Sequence, residues 1–200
     1  MKVLGITGGV GAGKSTVLLY LQERHGAVLL SSDEIARELE TPGHDCFDEI
    51  AAFFGKGVLT EEGLLDRRTL AEIVFSDPEK LELLGGIVHP AVKAEICRQL
   101  AQLEEEECPL AVLESALLLE KNYDALCDEV WYVYADEAVR IRRLQQDRGY
   151  SEEKSRAVMG NQMSDGEFRA RCQIVIDNSR ENVQNTYGQI DAALQALMQR

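Results

Sequence analysis

A three-layer α/β fold, with helices on both sides of a sheet of short strands, is what this 200-residue sequence predicts. Two observations carry that reading. Short apolar runs recur at residues 3–7, 27–30, 110–115, 129–134 and 173–178, each of a length that suits a strand buried on both faces. The stretches between them space their apolar residues as helices do.

The first run, Val3-Leu4-Gly5-Ile6-Thr7, leads into Gly8-Gly9-Val10-Gly11-Ala12-Gly13-Lys14-Ser15-Thr16. That segment fits G-x-x-x-x-G-K-[ST], with Gly8, Gly13, Lys14 and Ser15 at the fixed places. Thr16 to Arg24 then reads as a helix with Val17, Leu18 and Leu21 inward. Strand, glycine loop and helix together are the context of a nucleotide-binding P-loop. Glycines let the backbone N–H groups of residues 8–16 approach phosphate oxygens with no Cβ in the way. The loop forms an anion nest at the positive end of the helix dipole. Lys14 is placed to reach the β- and γ-phosphates of a bound nucleotide, and the Ser15 hydroxyl to ligate Mg²⁺. A dinucleotide fingerprint is disfavoured, because G-x-G-x-x-G read from Gly9 or Gly11 needs glycine where Lys14 or Thr16 stands.

Apolar content of 45% suffices for a sizeable core, and no apolar run is long enough to span a membrane. The chain enters its first strand at once, which predicts no leader segment. Five scattered cysteines, Cys46, Cys97, Cys108, Cys127 and Cys172, show no metal-ligand spacing and read as reduced packing residues of a cytoplasmic protein. A formal net charge of −14 argues against binding nucleic acid or an anionic membrane. An acidic protein that binds a polyanion must concentrate its positive charge locally, so the placement of arginine is informative.

Ala27-Val28-Leu29-Leu30 is the second strand, and the next helix starts at Ser31-Ser32-Asp33-Glu34 with Ser32 or Asp33 as N-cap. Ligands of open α/β sheets bind at the carboxyl ends of strands, so Asp33 falls on the P-loop edge. It is either a helix cap or a general base for an acceptor hydroxyl. From Ile35 to Leu103 the chain is mostly helical, broken at Glu40-Thr41-Pro42-Gly43 and Gly55-Lys56-Gly57 and interrupted at His89-Pro90. Leu65-Asp66-Arg67-Arg68-Thr69-Leu70 opens a helix within it that runs to Phe75, and Asp77-Pro78 starts another with proline in its first turn. A crossover this long suggests an inserted acceptor-binding subdomain.

Leu110-Ala111-Val112-Leu113-Glu114 is a strand closed by an acid, where a metal-binding carboxylate belongs. Leu117-Leu118-Leu119-Glu120 continues as a short helix or turn, and Glu129 to Tyr134 is the fourth strand. The helix after Asp136-Glu137 holds Arg140, Arg142 and Arg143, with Arg148 just beyond. Ser151 starts another, which carries Arg156 and Gln162. This arginine cluster is the local positive charge that the composition calls for. The last strand ends at Asp177-Asn178, with Asn178 on the ligand edge, and Val183, Tyr187, Ile190, Leu194 and Leu197 stripe a final packing helix.

Taken in order, these segments resemble dephospho-coenzyme A kinases over nearly the whole chain. The resemblance rests on residues 6–16, Ser32-Asp33-Glu34-Ile35-Ala36-Arg37, Thr41-Pro42-Gly43, Phe54-Gly55, residues 63–70, Val74-Phe75, His89-Pro90, residues 117–120, Arg143-Leu144, Gln162 and Ile176-Asp177-Asn178. It implies a P-loop fold with a five-stranded parallel sheet, a helical acceptor-binding insertion and a helical lid. The implied core is about residues 1–32, 108–139 and 172–200, the acceptor subdomain about 33–107 and the lid about 140–171. It further implies ATP-dependent phosphorylation of the ribose 3′-hydroxyl of dephospho-coenzyme A. Lys14 looks like the phosphate lysine, Asp33 like the base and Arg143 like a lid arginine. Arg37, His89, Leu117 and Glu120 lie on the acceptor side, Asn178 on the nucleotide side, and Ser15 with Glu114 at the Mg²⁺. A monomer or weak homo-oligomer is expected. This sequence departs from the family's usual Asp-x-Pro-Leu-Leu-Phe-Glu, with Glu114-Ser115-Ala116-Leu117-Leu118-Leu119-Glu120 in its place. A usual second lid arginine is replaced by Asp147, with Arg148 next to it.

Two other readings compete. A different small-molecule or nucleoside monophosphate kinase shares the loop and the chemistry. A nucleotide switch of the GTPase kind needs an Asn-Lys-x-Asp segment, and this chain has none.

Overall fold

The computed structural model describes residues 1–180 and 182–200. In chain order the elements are β1 (Lys2–Thr7), α1 (Lys14–His25), β2 (Val28–Ser31), α2 (Ser32–Leu39), α3 (Asp45–Phe54), α4 (Arg67–Phe75), α5 (Pro78–Glu105), β3 (Leu110–Glu114), β4 (Glu129–Tyr134), α6 (Glu137–Arg148), α7 (Glu152–Gly160), α8 (Asp165–Arg171), β5 (Ile174–Asp177) and α9 (Val183–Met198). They divide into two compact units, one of Met1–Leu30 with Leu103–Arg200 and one of Ser31–Gln102.

The first unit is built on a five-stranded parallel sheet of order β2-β3-β1-β4-β5. In register Ile6 faces Glu114 on β3 and Thr7 faces Tyr132 on β4, while Tyr134 faces Asp177 on β5. The carboxyl ends of these strands therefore form one edge, and the loop after β1 leaves from its middle. The strands are apolar along their whole length because both faces are covered. On one face Leu4, Ile6, Val112, Trp131 and Ile176 pack with Val17 and Leu21 of α1 and Ile190, Leu194 and Leu197 of α9. On the other, Tyr132 stacks on Phe168 of α8 with ring centroids 4.6 Å apart. A Cβ at Gly5 would lie only 2.9 Å from Cys127 Sγ, so glycine is what lets that layer close.

At the opposite edge of the sheet, Glu129 is only 3% exposed yet satisfied. Its carboxylate accepts from Trp131 Nε1 at 2.7 Å and from Arg200 Nη1 at 2.9 Å. A buried carboxylate needs such partners, since an unpaired one costs several kcal/mol.

The second unit is helical and has its own core of Cys46, Ile50, Val58, Leu70 and Val74, flanked by Leu39, Phe54, Leu65, Leu84 and Val88. Asp66 caps α4 by accepting from Arg68 N and Thr69 N. Asp77 Oδ1 accepts from Glu79 N and Lys80 N at the start of α5. Here the structure corrects an expectation, because His89-Pro90 does not interrupt the helix. Pro90 sits inside one continuous α5. Proline forfeits the single bond to the carbonyl of Gly86, while Val92, Ile96 and Leu100 stay buried at four-residue spacing and hold the helix together. The glycines at 85 and 86 leave the preceding turn free to adjust.

Two smaller expectations also change. The N-cap position of α2 is Ser31, not Ser32 or Asp33, and Ser31 makes no side-chain cap bond. The segment 117–120, expected as a short helix or turn, is a turn, closed by Lys121 N to the Leu117 carbonyl and Tyr123 N to the Leu118 carbonyl. Gln162 lies beyond the end of α7, because a second helix with its own capping box, Ser164 and Glu167, starts at Asp165.

Candidate active site

The loop after β1 is shaped by close neighbours on every side. Gly8 has φ 149° and Gly13 φ 86°, conformations that favour glycine. A Cβ at Gly8 would collide with the Val133 carbonyl oxygen, and one at Gly13 with Asn178 Nδ2. Within the loop Ala12 N donates to the Gly9 carbonyl at 3.2 Å. α1 then starts at Lys14, and the N–H groups of a helix's first turn lie outside its own ladder and favour an anion. Lys14 Nζ donates to the Gly8 carbonyl at 2.9 Å, while Ser15 is exposed.

α6 supplies the wall of the loop. Ile141 and Leu144 are its buried stripe, and Arg140 and Arg143 flank that stripe. Arg140 Nε donates to the Val10 carbonyl at 2.8 Å. Arg143 Nη1 donates to the Ala12 carbonyl at 3.1 Å and the Gly11 carbonyl at 3.4 Å, and its Nη2 to the Asn178 carbonyl at 2.9 Å. Burial pushes the pKa of both guanidiniums down, and Arg142 adds to that effect on Arg143. Asn178, just past β5 and buried, donates from Nδ2 to the Ala12 carbonyl at 2.8 Å. Its Oδ1 accepts from Thr186 Oγ1 at 3.0 Å, which fixes the orientation of the amide. Residues from two separate stretches, α6 and the end of β5, thus hold the loop by its carbonyl oxygens.

Glu114 ends β3, half-buried, and shares the pleat face of Leu110 and Val112, which pack toward α1. It stands beside Ile6 in the register of β1. A hydroxyl and a carboxylate are hard oxygen donors, the set that suits Mg²⁺ when waters and phosphates complete the shell. Leu118 and Leu119 are buried and anchor the turn after β3, which leaves Leu117 and Glu120 exposed. Arg171 Nη2 donates to the Leu119 carbonyl at 2.8 Å and steadies that turn.

In the second unit Asp33 and Arg37 are one turn apart on the exposed face of α2. Arg67 holds the end of that helix, with Nη2 on the Arg37 carbonyl at 3.0 Å and Nη1 on Glu40 at 2.6 Å. Burial raises the pKa of Glu40, while Arg67 and Arg37 act against it. His89 lies on α5 against Gly85, where an added Cβ would come within 3.3 Å of its ring.

The loop contacts of Arg140 and Gln162 were not assigned from sequence. The signal for Arg140 was present: it flanks the Ile141–Leu144 stripe and so faces inward, whereas Arg142 and Arg148 are exposed. Gln162 is among the residues that carry the resemblance, but no periodicity tied it to the loop.

A family model described as dephospho-CoA kinase matches residues 2–184. The curated dephospho-CoA kinase of Symbiobacterium thermophilum is 41% identical over 196 residues, covering 98% of this chain and 81% of that protein. The crystal structure of TT1252 from Thermus thermophilus superposes with a TM-score of 0.83 at 34% identity, covering 98% of this chain and 97% of that one. Dephospho-CoA kinase from Campylobacter jejuni shares the fold, with a TM-score of 0.72 at 24% identity over 100% of this chain and 98% of that one.

Proposed function

The chain belongs to the dephospho-CoA kinase family, and on that premise we propose which of its residues carry out the reaction. The enzyme transfers a phosphoryl group from ATP to the ribose 3′-hydroxyl of dephospho-coenzyme A, giving coenzyme A and ADP, the last step of coenzyme A biosynthesis. The observation that carries this is the extent of the family match, which runs from β1 into α9 and so includes both units.

In our reading the loop of residues 8–16 binds the ATP phosphates through those of its N–H groups that are not held within the protein, as the Val10 and Ala12 N–H groups are, and Lys14 exchanges the Gly8 carbonyl for phosphate oxygens. Ser15 and Glu114 are the residues that hold Mg²⁺, whose charge offsets that of the phosphates. Arg143 and Asn178 act on the nucleotide side by fixing the loop and adding positive charge behind it. Asp33 accepts or orients the proton of the 3′-hydroxyl. That role is supported by its exposed place in the first turn of α2, where it is not the cap. Arg37, His89, Leu117 and Glu120 bind the acceptor. Residues 33–107 serve as the acceptor subdomain and 140–171 as the lid, on a core of 1–32, 108–139 and 172–200. No helix among the described residues is long and apolar enough to cross a membrane. The net charge of −14 fits a cytoplasmic enzyme of small molecules, monomeric or weakly associated, that does not bind nucleic acid. The test is an acceptor panel with ATP and Mg²⁺, in which dephospho-coenzyme A must outpace nucleoside monophosphates and shikimate by orders of magnitude in kcat/KM. Equal rates across the panel reject the acceptor assignment.

A further inference from the structure

We propose that Gln162 is a positioning residue that sets the shape of the phosphate loop at Val10 before ATP arrives; this rests on the loop being the ATP site. Val10 is the middle of the loop, and both of its backbone polar groups are taken by side chains far away in sequence. Its N–H donates to Gln162 Oε1 at 2.8 Å, and its carbonyl accepts from Arg140 Nε at 2.8 Å. Arg140 Nη2 closes the ring by donating to the same Gln162 Oε1 at 3.2 Å. Both partners of that oxygen are donors, so the amide must present oxygen and not nitrogen. The guanidinium lies so close to Gly9 that a Cβ there would collide with it. The glycine at 9 is thus the space the clamp requires.

Gln162 is itself held from both sides. α7 ends at Gly160, and the capping box of α8 forms just beyond, with Ser164 N donating to Glu167 Oε2 at 2.7 Å. Arg140 and Gln162 also line a cavity of about 500 Å³ with Tyr132, Tyr134, Arg156 and Asp165. With open space behind the pair, hydrogen bonds hold the clamp in place more than packing does. Without the Gln162 oxygen, Arg140 is free to turn into that space and Val10 to leave its position. A loop that is already shaped loses less freedom when phosphate binds, so the clamp contributes to nucleotide affinity. It does not touch the acceptor.

The experiment compares the parent with Gln162→Leu, Gln162→Glu and Arg140→Lys. ATP affinity is measured by calorimetry without acceptor, so the acceptor assignment can fail without affecting this result. Gln162→Leu keeps the volume and removes the acceptor oxygen. It is expected to weaken ATP about tenfold, since the loss of a hydrogen bond or two is of that size. The KM for dephospho-coenzyme A should move less than about twofold, and exchange of the Val10 amide should speed up about tenfold. Gln162→Glu keeps an acceptor and should restore protection of the Val10 amide. Arg140→Lys keeps the charge but loses the fork, and should weaken ATP like Gln162→Leu, which covers the case of a Leu variant that does not fold. ATP affinity within about twofold of the parent in the folded variants overturns the proposal. So does an equal rise in both KM values, which marks a role in general structure alone.

Discussion

Asn178 Nδ2 donates to the carbonyl oxygen of Ala12 at 2.8 Å, a bond that joins the end of the last strand to the phosphate loop across 166 positions of sequence. Thr186 holds the other end of the amide. Asn178→Asp replaces the donor with an acceptor opposite a carbonyl oxygen. It is expected to cost about 1–3 kcal/mol of stability, as an unsatisfied buried group does, and to weaken ATP binding. A melting curve with and without ATP checks both effects.

Lys14 brings its charge to the same loop through the Gly8 carbonyl. Lys14→Ala should lower kcat by at least ~10², because a cation facing developing phosphoryl charge is worth a few kcal/mol. The bond to the Gly8 carbonyl is worth about 1 kcal/mol in the unliganded protein, and its loss should lower the melting temperature by about 2–4 °C. Steady-state kinetics and a thermal scan separate the two.

Asp33→Asn distinguishes charge from capping. Because Ser31 holds the cap position, the substitution should leave the melting curve unchanged and ATP binding intact. Phosphoryl transfer should fall by roughly 10²–10⁴, the span of a positioned base. The lower half of that range is expected, since a loose transition state needs little deprotonation of the nucleophile. Turnover within a few-fold of the parent removes Asp33 from the mechanism.

Much of this was legible in the chain. The loop motif announced itself through glycines at fixed spacing, and every strand lay where an apolar run did. The starts of α4, α5 and α7 lay within the segments expected to open helices, and there Asp66, Asp77 and Ser151 accept from free N–H groups, a local feature. What could not be read was non-local. Nothing in the neighbourhood of Pro90 says that Val92, Ile96 and Leu100 are buried deeply enough to carry a helix through it. Nothing near Gln162 says that its oxygen meets Val10, 152 positions away. The arginine cluster was legible as positive charge, but its division between loop contacts at Arg140 and Arg143 and exposed positions at Arg142 and Arg148 depends on which face of α6 is covered.

Arg200→Ala tests the base of the sheet. It leaves the Glu129 carboxylate, 3% exposed, with the Trp131 N–H as its remaining described partner. Arg200 itself is largely exposed, so water moderates the loss, and about 1–3 kcal/mol is expected. Glu129→Gln keeps an acceptor for Trp131 and should cost less. Chemical denaturation of the three proteins gives the order.

Burial also sets a pH dependence. It raises the Cys127 thiol from its usual 9.0 to about 12, with Asp124 and Asp128 adding to the effect, and raises Cys46 and Cys172 to about 11. The folded state thus favours the neutral thiol. Its stabilising contribution is whole below pH 9 and is lost as pH rises through 11 to 12. Stability should decline over that alkaline range. At pH 8 a thiol alkylator should label the exposed Cys97 well before those three.

The central claim is that this loop and its clamps serve transfer from ATP to the ribose 3′-hydroxyl of dephospho-coenzyme A. The most direct test incubates the full chain with Mg·ATP and dephospho-coenzyme A and follows products by mass spectrometry, with phosphorus NMR to locate the new phosphate. The account predicts coenzyme A, phosphorylated at the 3′ position, formed one for one with ADP and formed at least ~10²-fold more slowly with Lys14→Ala. ADP released without phosphorylated acceptor, or phosphate placed elsewhere on the acceptor, would contradict it.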